Sequence, residues 1–591
     1  MVRLFIGLVF IVTALQSHAQ SVRIIGGGYP TGDIAITTSS EQNAKVGRNT
    51  LNGQGLLPNQ NAASRFLAQA TLGADIELID HVSNVGITQW LDDQLNMPAS
   101  FSMSDYLFDL IDLAQDSLDA LGDPEPFPAP TRFWYYAWWK HVIDGDDLVR
   151  ARIALALSEI LVVSENSILG SRPLGLANYY DILLEHAFGN YRDLLGEITR
   201  HPSMGVYLTY IHNPKTDTVA NNFPDENYAR EIMQLFTIGL HELNNNGTPK
   251  LDNQGKLIPS YDNDDIGEFA KVFTGFTWAT AAGFGMGPVA YDQPMQMWES
   301  EHEPGEKFLL NGYVVPDRNP VNGLADVDDA LDNLFNHQNM GPFISRRLIQ
   351  RLITSNPSPA YIDRVASVFN DDGNGVRGNL KEVFRAIFLD PEARACAQQQ
   401  KDLVGYLREP LLRYTHICRA FNAASADGHF RSTMTEFQRL LLQKPLASPS
   451  VFNFFQPDYQ PNGPVEMADL VAPEFQIFNS QSSVGYGTML NGWAMDEKKL
   501  IEYGFLFPGE TYVEANRAKI DLSDEIDIST TNDIDALVER YNVILCHGNM
   551  SEVTRNLITN MLAETDEAQA EIRARLGLFL VMMSPDYLIM R

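Results

Sequence analysis

Five residues in one short stretch have the types and spacing that chemistry needs. In Asn221–Leu243, which reads NNFPDENYAREIMQLFTIGLHEL, the acids Glu226 and Glu231 bracket Arg230. Asn227 and Gln234 lie four residues before and three residues after Glu231. Two carboxylates can carry a proton into and out of a reaction while a guanidinium orients an anionic or hydroxyl-rich substrate. On that reading Glu231 or Glu226 is the general acid/base, Arg230 orients the substrate, and Asn227 and Gln234 bind it. A structural role fits as well. Glu226 and Arg230 have the spacing of a helical ion pair, and a buried network can tie this stretch to the arginines at 346, 347 and 351.

Two further groups offer chemistry. Ser300–Lys307 (SEHEPGEK) sets His302 and Lys307 among acids in a turn-prone loop as candidate binding residues, and His302 with Glu231 would make a metal site or an acid/base pair. The alternative is a structural loop. Asn370–Gly375 (NDDGNG) followed by Glu382 looks like a calcium loop, but the EF-hand spacing fails by one residue, and an Asp/Gly turn between helices explains it as well. Asp262, Asp264 and Asp265 are calcium ligands or helix caps. No zinc-type Cys/His cluster, phosphate-binding loop or dinucleotide fingerprint is present, so no metal site is assigned and the cofactor is unknown.

The elements that must hold these residues are helices. Pro224 and Asp225 open one, Glu226–Ile238 continues it, and Gly239 stops it; Ala229, Ile232, Met233, Phe236 and Leu240 form its apolar face. Helices are also expected at 147–164, 178–199, 266–276, 327–336, 342–353, 359–369, 380–389, 403–421 and 432–442, with three more in 533–591. A short hairpin is expected at 308–315. The aromatic run Phe133–Trp139 is either core or a sugar-stacking platform. Strands are few. The expected class is mainly α, a large multi-helix globular unit with long loops and few short strands.

The chain has 591 residues, 45% of them hydrophobic, enough for a large core. Arg3, the apolar run Leu4–Leu15 and Ser17-His18-Ala19 read as a signal peptide over 1–19, which implies export to the periplasm or beyond. Residues 20–61 are a flexible Gly/Ser/Asn-rich leader, and 62–591 form one large helical domain or two merged lobes. No integral membrane segment is expected in the mature chain. Cys396, Cys418 and Cys546 allow at most one bridge or three free thiols. A net charge of −32 excludes general binding to nucleic acid.

Separated blocks of the sequence resemble the bacterial family of exported proteins of unknown function numbered 1800. They are DENYARE with QLFTIG, LALSEILVVS (155–164), HEPGEKFLL (302–310), GPFISRRLIQRLITSNP (341–357), FNDDGNGVR (369–377), Arg408-Glu409-Pro410, SPSVFNFFQP (448–457) and the closing Ser584–Tyr587. Many relatives carry His where this chain has Phe236 and Glu where it has Gln234, so a mechanism that needs either group fails here. The resemblance assigns no activity. It implies as partner a co-encoded exported protein with an alkaline-phosphatase-like fold. Two functions follow as expectations: hydrolase-like action on an extracellular polymer or anionic metabolite, or non-catalytic binding and assembly with that partner.

Overall fold

A computed structural model describes residues 22–24, 35–37, 58–123, 125–395, 405–496, 504–507 and 509–591. The signal peptide expected at 1–19 and Cys396 lie outside the described residues. Within the expected leader, Val22–Ile24 pairs antiparallel with Ala35–Thr37. The leader's end already belongs to the helix Pro58–Ala70, so helical order starts earlier than the expected Ala62.

The chain is mainly α. Strands occur only as two-stranded antiparallel pairs among the described residues. One is the expected hairpin, Lys307–Phe308 with Val314–Val315. Another, Tyr406–Leu407 with Ile589–Met590, ties the end of the chain to its middle. No helix is long and apolar enough to cross a membrane among the described residues. Cys418 and Cys546 are buried free thiols. The aromatic run lies in the helix Arg132–Asp144 with every ring buried, which makes it core and not a sugar platform.

Six helices position the residues of interest. The first, α1 (Leu148–Ser158), is buried along its whole length. It ends at Ser158 and not at the expected Ser164, because a helix with no polar face carries no periodic mark of where it stops. The second, α2, has α geometry over Asn227–Glu231 and continues as a π turn over Ile232–Thr237. The others are α3 (Asn263–Val272), α4 (Gly323–Phe335), α5 (Met340–Leu352) and α6 (Pro410–Ala420).

Helix α5 packs against both α1 and the π turn of α2. That contact fixes Gly239, which ends the turn at φ +72; a Cβ there would lie 2.7 Å from the Phe343 ring. Chain direction changes at this left-handed residue. Leu240, expected on the apolar face, is therefore 50% exposed, whereas Ala229, Ile232, Met233 and Phe236 are fully buried.

Both acidic loops serve the backbone. Asp262 caps α3 in a reciprocal capping box with Asp265. Asp371 accepts from the N–H groups of Gly373 and Gly375, and Asp372 from those of Asn374 and Val376. No group of three or more metal-ligating side chains occurs among the described residues.

Candidate functional site

The residues expected on α2 separate into two environments. Arg230 Nη2 lies 3.3 Å from Glu226 Oε2, and both side chains are largely exposed. Such a surface pair contributes roughly 0.3–0.5 kcal/mol. Asn227 takes part in the helix start, its N–H donating to Asp225 Oδ1 at 2.8 Å, and Gln234 is half-buried.

Glu231 faces the other way. It is 6% exposed, and its Oε2 has no hydrogen-bond partner among the described residues. Burial raises its proton affinity against the opposing pull of Arg230. Burial also pushes the phenols of Tyr207 and Tyr261 up to about 12, and the Glu231 charge adds to both shifts. The ion-pair network once open between this helix and the arginines of α5 is not formed by Glu226, whose partner is Arg230.

His302 and Glu231 are not partners. The His302 ring is buried, with Nδ1 2.9 Å from the Thr274 carbonyl oxygen and Nε2 3.0 Å from Asp326 Oδ2 on α4. Buried Lys307 donates to the same Asp326 oxygen, and Arg318 pairs with Asp326 and Asp329. Burial alone would raise the Asp326 carboxyl, but hydrogen bonds from His302 and Lys307 outweigh it and hold it below its usual value. This arrangement pins the loop to α4. Lys307→Met should therefore destabilise by less than the roughly 3–5 kcal/mol of an uncompensated buried charge, because Arg318 still pairs with Asp326. Denaturant unfolding at neutral pH measures this.

A second set of acids lies where four of the separated sequence blocks converge. Glu159 follows α1, Glu409 precedes α6, and Glu474 lies in the short helix Pro473–Gln476; all three are buried. The Gln443 side-chain N–H₂ donates to Glu409 Oε2 at 2.5 Å and reaches Glu159 Oε1 at 3.5 Å. Gln443 is held in turn by the Leu411 N–H, which donates to its Oε1 at 2.9 Å. Arg351 of α5 stands 3.4 Å from Glu159 Oε2 and 4.4 Å over the Phe455 ring. Burial, reinforced by Glu409, raises the Glu159 carboxyl well above the usual range against Arg351 and Arg152. Burial likewise pushes Glu474 up to about 8.

On α5, Arg346 and Arg347 are half-buried and make no hydrogen bond or ion pair among the described residues. Arg347 lies 4.9 Å over the Phe343 ring. Burial and repulsion from Arg346 and Arg351 bring it down to about 9, still charged at neutral pH. Asp458 exerts the opposing pull on both. Tyr207, within the field of Glu231, is drawn down in turn by Ser448, which lines the small cavity beside Glu159.

Sequence reasoning did not single out Glu159, Glu409, Glu474, Arg346 or Arg347 as a site. A signal existed for one of them: Glu159 is the lone charge in the apolar run Ile153–Val163. An ionisable group embedded that way must find partners from elsewhere in the chain. Compared with known proteins, the chain matches over residues 65–589 the model of a family described as "Protein of unknown function (DUF1800)". No curated protein and no solved structure gives a significant match.

Proposed function

The chain belongs to the DUF1800 family, whose description assigns no activity, and we propose from its own side chains that it binds an anionic group, a carboxylate or a phosphate, at Arg346 and Arg347. One observation carries this reading. In a chain with 75 acidic residues against 43 basic ones, two neighbouring guanidiniums remain half-buried with no carboxylate within ion-pair distance among the described residues, Asp458 acting on them only from farther away. Partly desolvated like charges repel each other, and an anion relieves both costs at once. The planar fork of a guanidinium suits bidentate recognition of planar or tetrahedral oxyanions.

The reaction class this favours is acid/base hydrolysis of an anionic metabolite or polymer. Glu231, buried with one unpartnered oxygen, is the acid/base group proposed on α2, and Tyr207 and Ser448 connect its surroundings to the acids behind α5. Glu226 and Arg230 are assigned to the rim, where they are exposed and paired.

Calorimetric titration of the full chain with inorganic phosphate and with citrate tests the binding. Charge-assisted hydrogen bonds contribute about 1.5–3 kcal/mol each, so Arg346→Ala with Arg347→Ala should weaken binding by on the order of 100-fold or more. No measurable binding of either anion to the unmodified chain, or equal affinity in the double variant, removes this reading.

A further inference from the structure

Behind the arginines, a cavity of about 10 Å³ adjoins Glu159, with room for about one water. Its lining includes Ser158, Glu159, Ser448 and Asn453 among apolar residues such as Leu155 and Phe454. Of its polar atoms, Asn453 Nδ2 has no hydrogen-bond partner among the described residues, and Glu159 Oε2 has only the Arg351 guanidinium, 3.4 Å away; both residues are 5% exposed. Asn453 holds a left-handed backbone at φ 64, and the loop that carries it is anchored by Ser164 Oγ, which donates to the Ser448 carbonyl at 2.7 Å. An orphaned buried donor such as Asn453 Nδ2 is rare, and a polar cavity of this size between it and a carboxylate with accepting capacity to spare has the character of a water site.

On the far side of Glu159, its carboxyl and that of Glu409 meet at one amide, the side-chain N–H₂ of Gln443. Two carboxylates this close cannot both stay ionised without a compensating charge. Arg351 faces Glu159 from α5, and Arg152 faces it from α1, its Nη2 donating to the Arg351 carbonyl. Glu474 adds a like charge to Glu409, and the neutral phenols of Tyr180 and Tyr406 complete the surroundings. Arg413 of α6 acts on Glu409 as well, so three cations face three acids; burial and the neighbouring Glu409 carboxyl still raise Glu159, which makes it the member that keeps a proton.

We propose that Glu159 and Glu409 form a dyad sharing one proton at neutral pH, and that Glu159 and Asn453 hold a single water in the adjoining cavity. A carboxylic acid beside a carboxylate, with water against one of them, is the arrangement in which one group gives a proton while the other takes one. The dyad is an acid/base element that stands apart from the arginine pair and does not require it to bind anions.

Infrared difference spectra between the full chain and Glu159→Gln at pH 7, repeated in a Glu474→Gln background, read the dyad directly. The expected result is loss of one protonated-carboxyl band on substitution of Glu159, with the same loss for Glu409→Gln. A high-resolution crystal structure of the unmodified chain should show one water within hydrogen-bond distance of Glu159 Oε2 and Asn453 Nδ2, so the water is read without any variant. Difference spectra showing only ionised carboxylates overturn the dyad, and a dry cavity overturns the water site. Phosphate titration of Glu159→Gln separates this inference from the previous one. Binding kept while the band is absent from the unmodified chain sinks the dyad alone; a band present with no phosphate binding sinks the anion reading alone.

Discussion

Arg351→Met should lower stability by about 3–5 kcal/mol at pH 8 and by clearly less at pH 5. Arg351 is the cation of α5 that faces Glu159 at 3.4 Å, and its field also reaches Glu474. Methionine keeps most of the contact with Phe455 while removing the charge, so the loss isolates electrostatics from packing. At pH 8 the variant must hold ionised carboxyls in a buried space with only Arg152 left facing Glu159 and Arg413 acting on Glu409, or take up protons against the solvent. At pH 5 protons are plentiful, and the acids neutralise themselves. Urea unfolding at the two pH values measures both numbers. Equal losses at pH 5 and pH 8 show that Arg351 acts through packing and not through the acids.

Glu474→Gln should flatten the pH dependence of stability between about pH 4.5 and pH 8. The sign follows from proton binding. Glu474 has an ordinary value of 4.5 when exposed and is pushed up to about 8 in the folded chain, chiefly by burial. Between those values the folded state binds the proton and the unfolded state does not, so stability is fully present below pH 4.5 and falls as pH rises toward 8. A shift of that size corresponds to roughly 3–5 kcal/mol over the interval, at about 1.4 kcal/mol per unit. Glutamine keeps the shape and never ionises, so it removes this contribution; the slope that remains belongs to Glu159 and other raised acids such as Glu525. Asp326 and Asp147 are lowered instead, Asp147 to about 2, where hydrogen bonds from His141 and Ser100 outweigh burial. Their stabilisation is lost only in acid, as pH falls through their folded values, outside the window that Glu474 controls. A slope unchanged in Glu474→Gln assigns the pH dependence elsewhere.

Each loss requires the acids to be surrounded by the folded core. Glu159 and Glu409 are 250 residues apart in sequence and meet at Gln443, and Glu474, 65 residues further on, lies within the field of Glu409. A surface acid in the same chain, such as Glu226, has water for a counterpart and is expected to show neither effect. The contrast between Glu226 and Glu231, five residues apart on one helix, makes the same point locally. One faces solvent beside Arg230; the other is enclosed with an unpartnered oxygen.

The sequence by itself determined the helical class, the family, and the ends of helices that polar residues mark. Gly239 as the stop after α2 is a local statement, fixed by one backbone angle, and of the two readings left open for Asp262 the structure shows the helix cap. The apolar steps Ala229, Ile232, Met233 and Phe236 were legible because burial follows helical periodicity. Only the tertiary structure decided which charged residues meet. His302 found Asp326 and not Glu231, since the loop at 302–307 packs on α4. Arg346 and Arg347 stayed without an ion-pair partner among the described residues although acids outnumber bases, because the acids of α2 point elsewhere. The end of α1 escaped a periodic reading for a related reason: a segment buried on every side looks the same whether it continues or turns, and Glu159 is where it turns. Partners of a buried charge lie far away along the chain, and sequence spacing carries no information about that distance.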